Sequence, residues 1–333
     1  MSQPLSLPMT AASAVGAIPG MLVDRVGERG LHKAFKNAGL PLTVMDTPRA
    51  AIPLNGLAVL WKEAARATGD RTFGFVGGKE MTVQTYGLWL EYCASAPTFR
   101  EALARIPKAL GFHQSGTQFT FRESHGVGVL RYYPAWPGRF PQHTDHIVGS
   151  LVRFAAIYCG PRWRPAWVEL DYARDTSWRT IERKIEAPLV FGATTLGIAV
   201  SSDDLKKPLL LKHPRALTLA DVAAEAALAT SPHLACPIAN AIAFRLLDGK
   251  VDIDGAAALC GIGVQGLQRR LRMRGVSYRD LLKKIRMRRA VALLTETDQP
   301  ISEIALRLGY EEHPNFSRAF RRSIGKSPSE FRR

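Results

Sequence analysis

The sequence predicts an α+β domain, with antiparallel strands and helices, followed by an all-α domain that holds two helix-turn-helix motifs joined by a linker helix. The 333 residues suffice for two domains of ordinary size. Apolar residues follow both helical and strand spacing before residue 210, but helical spacing alone after residue 237. Half of the net charge of +16 falls on the last 83 residues, which favours a polyanionic partner for that domain. The predicted bounds are 1–210, a helical linker over 211–237, and 238–333.

The first domain combines helices with strands. Five segments with apolar residues at helical spacing predict helices: Leu54–Thr68, 83–93, 97–110, 142–159 and Trp178–Ile185. Four others predict strands: 117–122, Val127–Tyr133, 166–171 and 196–200. A polar turn with glycine separates the first two strands, so we expect an antiparallel hairpin there. Alanine and proline dominate the segment that follows, which predicts a linker with one or two helices. A helix over 238–248, closed by Gly249, begins the second domain.

The second domain contains an internal repeat. Gly261 and Gly309 each follow a short helix rich in alanine and leucine. In the helix after each glycine, two apolar residues four positions apart share one face, and an arginine follows two positions after the first of them. The apolar pairs are Leu267 with Leu271 and Phe316 with Phe320, and the arginines are Arg269 and Arg318. We expect buried pairs and outward arginines, as in a helix-turn-helix motif that reads DNA.

A longer helix connects the two motifs. Ser277 and Asp280 have the spacing of a capping box, so we expect the helix to begin there. Its basic face carries Lys283, Lys284, Arg286, Arg288 and Arg289. A rigid helix of this kind would hold the two motifs about 34 Å apart, one DNA turn, on one side of the duplex. For Lys283, Lys284 and Arg288, simple solvation is the alternative.

The second motif and the residues after it form a specific pattern. Its members are Ile301, Ile304, Ala305, Leu308, Gly309, Tyr310, Phe316, Ser317, Arg318, Ala319, Phe320, Arg321, Gly325, Pro328, Phe331 and Arg332. On this pattern, residues 238–333 resemble the DNA-binding domain of the AraC/XylS family of bacterial transcription regulators. The resemblance implies a regulator that is not an enzyme, binds double-stranded operator DNA and contacts RNA polymerase. It favours an activator, and a repressor is the alternative that the sequence leaves open.

The resemblance also implies which side chains contact DNA. Base edges would be contacted by Gln265, Gln268 and Arg269 in the first motif, and by His313, Asn315 and Arg318 in the second. Phosphates would be contacted by Ser317, Arg321, Arg322 and Lys326. These residue types suit their roles, because arginine donates two hydrogen bonds to guanine, and glutamine or asparagine pairs bidentately with adenine.

The start of the first recognition helix departs from the family pattern. Family members usually have hydroxyl-bearing and basic residues there, whereas this chain has Gly263-Val264-Gln265-Gly266. We expect a poorly capped helix, in which Gly266 costs roughly 1 kcal/mol relative to alanine. Pro314 suits the first turn of the second recognition helix, where its missing N–H costs little. We therefore expect Asn315 and Arg318 to carry more of the specificity.

Packing and turn motifs in residues 51–210 carry a second resemblance. They are Pro53-Leu54, Leu60-Trp61, 68–70, Gly87, 95–103, Pro188, 191–193, Leu205 and 208–209. They resemble the arabinose-binding-like N-terminal domain of a subgroup of the same family that includes ornithine-utilisation regulators. The resemblance implies a domain that binds a small-molecule effector and often forms a homodimer. It identifies neither the effector nor its binding residues.

Two clusters in the first domain have alternative interpretations. His143 and His146 flank Asp145, which would suit a metal or acid–base site, but no third ligand has suitable spacing, so we favour exposed polar residues at a helix N-terminus. Arginines interleave with aromatic residues further along: Arg162, Arg164, Arg174 and Arg179 with Trp163, Trp167, Tyr172 and Trp178. They would suit a pocket for an anionic metabolite, although we favour core aromatics with solvated arginines. Gly77-Gly78 would suit a phosphate-binding loop, but the other residues of that motif are absent from the sequence around it, so we exclude nucleotide hydrolysis.

Other classes of protein fit the sequence less well. The four cysteines, Cys93, Cys159, Cys236 and Cys260, have no metal-ligand spacing, which predicts reduced thiols in a cytoplasmic protein without metal or cofactor. No segment approaches the roughly 20 apolar residues of a membrane span. A DNA-tethered enzyme of the repair-alkyltransferase type would need an activated cysteine. A non-specific nucleic-acid binder would lose its affinity with salt and prefer no sequence.

Overall fold

The computed structural model describes residues 6–136, 138–210, 217–228 and 236–332. The chain divides into two units, each with its own core. The mixed unit consists of Ser13–Leu42 and Leu54–Ala227, and the helical unit of Met1–Ala12, Thr43–Pro53 and Leu228–Arg333. Two short N-terminal segments thus belong with the C-terminal helices. The predicted bounds at residues 210 and 237 stay predictions, because 211–216 and 229–235 lie outside the described residues.

The described residues form strands and helices with the following bounds. The strands are β1 Met9–Ala11, β2 Ala51–Pro53, β3 Gln118–Ser124, β4 Val127–Tyr133, β5 Trp167–Leu170, β6 Leu189–Phe191 and β7 Leu196–Ser201. The helices are α1 Ile18–Asn37, α2 Leu54–Thr68, α3 Phe73–Glu80, α4 Val83–Tyr86, α5 Leu88–Ala94, α6 Phe99–Ala109, α7 Pro141–Cys159, α8 Trp178–Ile185, α9 Ser202–Leu205, α10 Leu219–Leu228, α11 Pro237–Arg245, α12 Ile253–Leu259, α13 Val264–Arg272, α14 Tyr278–Glu296, α15 Ile301–Arg307, α16 His313–Ile324 and α17 Pro328–Arg332.

The mixed unit is built around a five-stranded sheet in the order β3-β4-β7-β5-β6. The predicted hairpin is confirmed, because β3 and β4 pair antiparallel with Phe119 opposite Tyr132. β7 pairs antiparallel with β4 on one side and with β5 on the other. The edge strand β6 runs parallel to β5. The sequence does not predict β6, because three residues are too few to show a strand period.

Most predicted helices of the mixed unit are confirmed. α2 and α8 have the predicted bounds, and α6 and α7 differ from the prediction by one or two residues at an end. The single helix predicted over 83–93 is wrong, because Gly87 takes a φ of 85° and separates α4 from α5. The sequence does not predict α1 or α3. Pro19 looks like a helix breaker, but it lies in the first turn of α1, where proline is tolerated.

Glycines pack α3 against α7. A Cβ added at Gly78 would lie 2.2 Å from the carbonyl oxygen of His146, and one at Gly149 would lie 2.2 Å from that of Phe75. Any side chain at these positions would collide with backbone, so only glycine lets the two helices approach this closely. Gly77-Gly78 is therefore part of a helix-packing motif.

This close packing buries the first turns of α7. His143 and His146 are 5% and 3% exposed, so the prediction of exposed polar residues at a helix N-terminus is wrong. Asp145 between them is also buried. It forms an ion pair with Arg71 at 2.5 Å and accepts a hydrogen bond from the Tyr172 hydroxyl at 2.5 Å. Burial raises the pKa of the Asp145 carboxyl to about 6, although both partners oppose that rise.

The helical unit has a core formed mainly by residues of α11 to α16. The predicted helix over 238–248 is confirmed as α11 and a 3₁₀ turn that ends at Gly249, whose φ is 66°. β1 and β2 pair antiparallel, with Met9 opposite Pro53, and β2 packs against α11. Thr43 donates a hydrogen bond to the carbonyl oxygen of Leu247 at 3.2 Å. A fragment that begins after residue 237 would therefore lack part of this unit.

Candidate nucleic-acid interface

Two pairs of helices, α12 with α13 and α15 with α16, form the predicted helix-turn-helix motifs. Gly261 and Gly309 occupy the turns with φ of 65° and 70°, a conformation that glycine adopts without strain. A Cβ at Gly309 would also lie 2.7 Å from the carbonyl oxygen of Gly249. The glycines that align the sequence repeat therefore mark turns of the same backbone geometry.

The buried faces of the recognition helices α13 and α16 are as predicted. Leu267 and Leu271 are 0% and 4% exposed, and Phe316 and Phe320 are both 0% exposed. The six side chains predicted to contact bases are all exposed: Gln265, Gln268 and Arg269 on α13, and His313, Asn315 and Arg318 on α16. Residues three and four positions apart share a helix face, so each recognition helix presents polar side chains opposite its buried pair.

Aromatic packing fixes the position of α16. The ring centroid of Phe316 lies 5.6 Å from that of Tyr310 and 5.7 Å from that of Phe320. The ring of Phe331 lies a further 5.5 Å from Phe320. Aromatic pairs at such distances contribute about 0.5–1.5 kcal/mol each beyond area burial. α13 has nine residues against twelve in α16 and buries two leucines instead, so α16 has the more extensive support.

Side chains on the exposed face of α16 hydrogen-bond to one another. Arg318 donates to the Asn315 side-chain oxygen at 2.6 Å, and Nε2 of His313 lies 3.3 Å from the Ser317 hydroxyl. The first contact holds a guanidinium beside an amide. Arginine has five N–H donors and uses one of them here, so it retains the pair that a guanine edge requires.

The residues predicted to contact phosphates follow on the same helix and just beyond it. Arg321, Arg322 and Lys326 are exposed, and Ser317 is half-buried. Within the described residues, none of the three basic side chains forms an ion pair. Their charge is therefore available to an external anion.

Neither recognition helix begins with a side-chain cap. Gly263 precedes α13 and Glu312 precedes α16, and no side-chain hydrogen bond caps either helix at these positions. The predicted poor capping of α13 is confirmed, but it does not distinguish the two helices. Pro314 lies in the first turn of α16, as predicted. A Cβ at Gly266 would meet only the Ile262 side chain, at 3.9 Å, so packing does not require glycine there.

The linker helix α14 begins at the predicted capping pair. The Ser277 hydroxyl accepts from the backbone N–H of Asp280 at 3.1 Å and donates to its carboxylate at 2.6 Å. Lys283, Lys284 and Arg288 are exposed, as expected for a basic face.

Two arginines of that predicted basic face point inward instead. Arg286 donates to the carbonyl oxygens of Leu308 at 2.8 Å and Gly309 at 2.7 Å, and its guanidinium lies 4.5 Å from the ring centroid of Tyr310. Arg289 is half-buried, and burial lowers its pKa to about 10. Including these two residues in the solvent-facing surface was wrong, because α15 and the following turn pack there. Arg286 positions the turn of the second motif. The sequence does not indicate this role, because Arg286 lies among other basic residues.

The arginine and aromatic cluster in the mixed unit agrees in part with the interpretation we favour from the sequence, because Trp163 and Tyr172 are buried but Trp167 and Trp178 are half-buried. The Arg174 guanidinium lies 4.3 Å from the ring centroid of Trp178, and Arg164 forms an ion pair with Glu186 at 2.7 Å. Trp163 is buried with the core aromatics. The arginines therefore engage surface partners. Among the residues that the structure describes, no group of three or more His, Cys, Asp or Glu side chains could hold a metal ion.

Two matches to protein families cover most of the chain. Residues 256–333 match a helix-turn-helix domain family. Residues 30–209, more than half of the chain, match the N-terminal arabinose-binding domain of AraC transcription regulators. The chain belongs to the AraC family of transcription regulators. It therefore combines a DNA-binding helix-turn-helix region with an arabinose-binding-like effector domain, and both resemblances found in the sequence are confirmed.

Individual bacterial regulators are similar to all or part of this chain. The ornithine utilization regulator of Pseudomonas aeruginosa is 25% identical over 339 residues, which cover 100% of this chain and 99% of that protein. The regulatory protein SoxS of Salmonella typhimurium is 38% identical over 89 residues, which cover 26% of this chain and 81% of SoxS. The crystal structure of the transcriptional regulator CdpR from P. aeruginosa matches with a TM-score of 0.40 and 21% identity, over 91% of this chain and 98% of that one. Among the described helices, none has the length and apolar character to cross a membrane.

Proposed function

We propose that the chain is a sequence-specific activator whose two recognition helices read double-stranded operator DNA and whose mixed unit binds a small-molecule effector. Family membership supports the DNA-binding and effector-binding halves of this proposal. The net charge of +16, half of it in the last 83 residues, supports a polyanionic partner. Effector binding would act by favouring one arrangement of the protein over another and thereby changing operator occupancy.

The proposal assigns base contacts to Gln265, Gln268 and Arg269 on α13 and to His313, Asn315 and Arg318 on α16. It assigns phosphate contacts to Ser317, Arg321, Arg322 and Lys326. The observation that carries it is the exposed Asn315 and Arg318 pair, joined by a 2.6 Å hydrogen bond above two phenylalanines that are 0% exposed. Such a pair presents guanidinium and amide donors together, as base recognition in the major groove requires.

The remaining parts of the proposal rest on the family. We propose that the protein is a cytoplasmic homodimer that contacts RNA polymerase from its bound operator. A dimer would place two copies of the tandem motif on DNA and so lengthen the recognised site. The name of the P. aeruginosa relative concerns ornithine utilization, so ornithine is a compound to compare with other candidate effectors of this chain.

The test uses an operator selected from random DNA with the full-length protein. Arg318→Ala should lower affinity for that operator by roughly 1–3 kcal/mol, while affinity for random DNA changes little. Arg279→Ala is the matched control, since Arg279 is exposed on α14 and has no assigned base contact. Equal losses on operator and random DNA for Arg318→Ala would refute the base contact.

The competing function of a non-specific nucleic-acid binder makes a different prediction. All of its affinity would fall with salt in the same way on every sequence. A sequence-specific reader keeps a preference for its operator at salt concentrations that remove binding to random DNA. Selection that yields no enriched sequence would favour the competitor.

The chemistry of the thiols argues against the competing function of a DNA-tethered alkyltransferase. A DNA-tethered alkyltransferase needs a thiolate, which a lowered pKa provides. Burial instead raises the pKa of the Cys93 thiol to about 12 and of the Cys159 and Cys260 thiols to about 11. Three of the four cysteines are therefore poor nucleophiles at neutral pH.

A further inference from the structure

A cavity of about 80 Å³ lies inside the mixed unit, among α4, α5, α6, α7 and the β3-β4 hairpin. Its polar lining consists mainly of ring systems. These are Tyr86, Trp89, His113, Tyr132, His143 and His146. Aliphatic side chains and phenylalanines supply most of the rest. The sequence does not predict this site, because its polar members come from five places in the chain: α4, α5, the segment after α6, β4 and α7.

Several buried nitrogen atoms around the cavity have no hydrogen-bond partner among the described residues. Both ring nitrogens of His143, Nδ1 of His146 and Nε1 of Trp89 are in this state. His143 is 95% buried and lines the cavity, so it has lost its bonds to water without replacing them. Buried polar groups of native proteins are nearly always paired, and an exception calls for an explanation. A bound molecule with a polar atom would provide the missing partner.

The surroundings of these histidines keep them uncharged. Burial lowers the pKa of His113 and of His143 to about 4, and that of His146 well below its ordinary value. The described lining residues include no Lys, Arg, Asp or Glu. The nearest carboxylate in sequence, Asp145, is already bound by Arg71 and the Tyr172 hydroxyl, each at 2.5 Å. The site thus offers neutral donors and acceptors and no formal charge.

The rings are held in place by contacts that leave His143 free to bind. His146 stacks on Trp61 with centroids 4.3 Å apart, and its Nε2 lies 3.0 Å from the Tyr86 hydroxyl. His143 packs against other rings, with the centroid of Trp136 at 5.7 Å, that of His146 at 6.0 Å and that of Tyr132 at 6.1 Å. A neutral imidazole carries one donor and one acceptor nitrogen. His143 is therefore able to bind either a carbonyl or a hydroxyl oxygen.

We propose that this cavity is the effector site, and that it takes a small uncharged molecule with a compact hydrocarbon body and one hydroxyl or carbonyl oxygen bonded to His143. The inference rests on the proposed function, since it assigns the effector class to the effector-binding unit. Its size follows from the volume, which is about half that of a cavity of about 150 Å³ that admits benzene. A ligand body of about three or four heavy atoms therefore fits the cavity as it stands, and a five-membered ring enters if half-buried lining side chains such as Tyr86 and Leu151 shift. An α,δ-diamino acid does not fit this chemistry, because the cavity lacks partners for its charges.

The test is a titration of the full-length protein with three probes that share one ring: cyclopentanol, cyclopentane and cyclopentylammonium. All six tryptophans lie in the mixed unit, and Trp89 lines the cavity, so intrinsic fluorescence reports the binding. We expect saturable binding of cyclopentanol, weaker binding of cyclopentane and none of cyclopentylammonium. Ornithine, titrated in parallel, should not bind at this cavity.

Two variants and one control assign the site. His143→Leu should weaken cyclopentanol roughly fivefold, the effect of one net hydrogen bond, and leave cyclopentane within about twofold. Leu151→Trp should fill the cavity and abolish binding of both, with a thermal melt to confirm folding. His32→Leu, at an exposed histidine of α1, should change neither affinity. Unchanged cyclopentanol binding in His143→Leu, or tightest binding of cyclopentylammonium, would overturn the proposal.

The outcome of this experiment can be distinguished from the outcome of the operator-binding test. Binding is measured without DNA, and operator affinity is measured in its own assay. If no probe binds while Arg318→Ala behaves as expected on the operator, the cavity assignment is wrong, and the proposal of a sequence-specific DNA-binding regulator is still supported. If cyclopentanol binds through His143 but changes neither operator affinity nor transcription, the site stands and the effector half of the proposed function is wrong.

Discussion

The candidate sites of the two units differ in the burial of their polar side chains. On α16 of the helical unit, Arg318 and Asn315 are exposed and hydrogen-bond to each other. In the mixed unit, His143 and His146 are buried and leave three ring nitrogens without partners among the described residues. A surface that binds a polyanion keeps its donors in solvent, where their charge costs little to maintain. A cavity that binds a small molecule holds its polar groups in a dry environment, at a cost in stability.

The largest expected consequence is an acid sensitivity confined to the mixed unit. His113 and His143 have pKa values of about 4 when folded, and that of His146 is also lowered, so the unfolded chain binds more protons than the folded one between about pH 6.5 and 4. Stability therefore falls as pH falls through this window. Asp145 opposes the trend, because its folded pKa of about 6 lies above its ordinary value.

At pH 5, His113 and His143 together should lower the unfolding free energy by on the order of 4 kcal/mol, and His146 should add to this loss. Asp145 should restore about 1 kcal/mol. Denaturant unfolding followed by tryptophan fluorescence at pH 7.5 and pH 5 measures this in the mixed unit alone, because all six tryptophans lie there. His143→Leu should reduce the difference between the two pH values. A stability that does not change with pH would contradict the buried neutral state of these rings.

The next largest effect concerns the packing of α3 against α7, the helix that carries His143 and His146. Gly78→Ala places a methyl group 2.2 Å from the carbonyl oxygen of His146, so α3 and α7 must separate. We expect a loss of about 3 kcal/mol in the unfolding free energy of the mixed unit, and weaker cyclopentanol binding. Gly111→Ala is the control, since a Cβ there meets nothing within 4 Å. Equal stabilities of the two variants would show that the close approach of the helices is not required.

The smallest effect lies in the helical unit. Gly266→Ala should stabilise α13 by about 1 kcal/mol, because packing leaves room for the methyl group and glycine is the poorer helix former. Thermal unfolding monitored by far-ultraviolet circular dichroism measures the change. If the first helix-turn-helix motif binds DNA weakly because α13 has low helix stability, operator affinity should rise in parallel. A stabler protein with unchanged operator affinity would separate helix stability from DNA reading.

The helical unit follows closely from its sequence because its signals are local. Leu267 with Leu271, and Phe316 with Phe320, are four residues apart on one helix, so periodicity alone identifies the buried face. The outward positions of Arg269 and Arg318 follow from the same count. Arg286 is the exception: it faces a turn more than 20 residues away, and no local pattern shows that.

The cavity of the mixed unit is not predictable in this way. Its polar lining comes from α4, α5, β4, α7 and the segment after α6, which only the folded chain brings together. The local sequence predicts that His143 and His146 lie at an exposed helix N-terminus, because it contains no information about the helix that packs against them. The N-terminal strands β1 and β2 are not predicted for a related reason, since they are three residues long, pair with each other across a long sequence separation, and β2 packs against α11.

The central claim is that the second recognition helix reads bases, and more strictly than the first. The most direct measurement is the base preference of the full-length wild type, Arg269→Ala and Arg318→Ala at each operator position, obtained by selection from random DNA at one salt concentration. The account predicts that Arg318→Ala abolishes the preference at one position, and that Arg269→Ala flattens another position less. An unchanged preference profile in Arg318→Ala, with affinity lowered uniformly on all sequences, would contradict it.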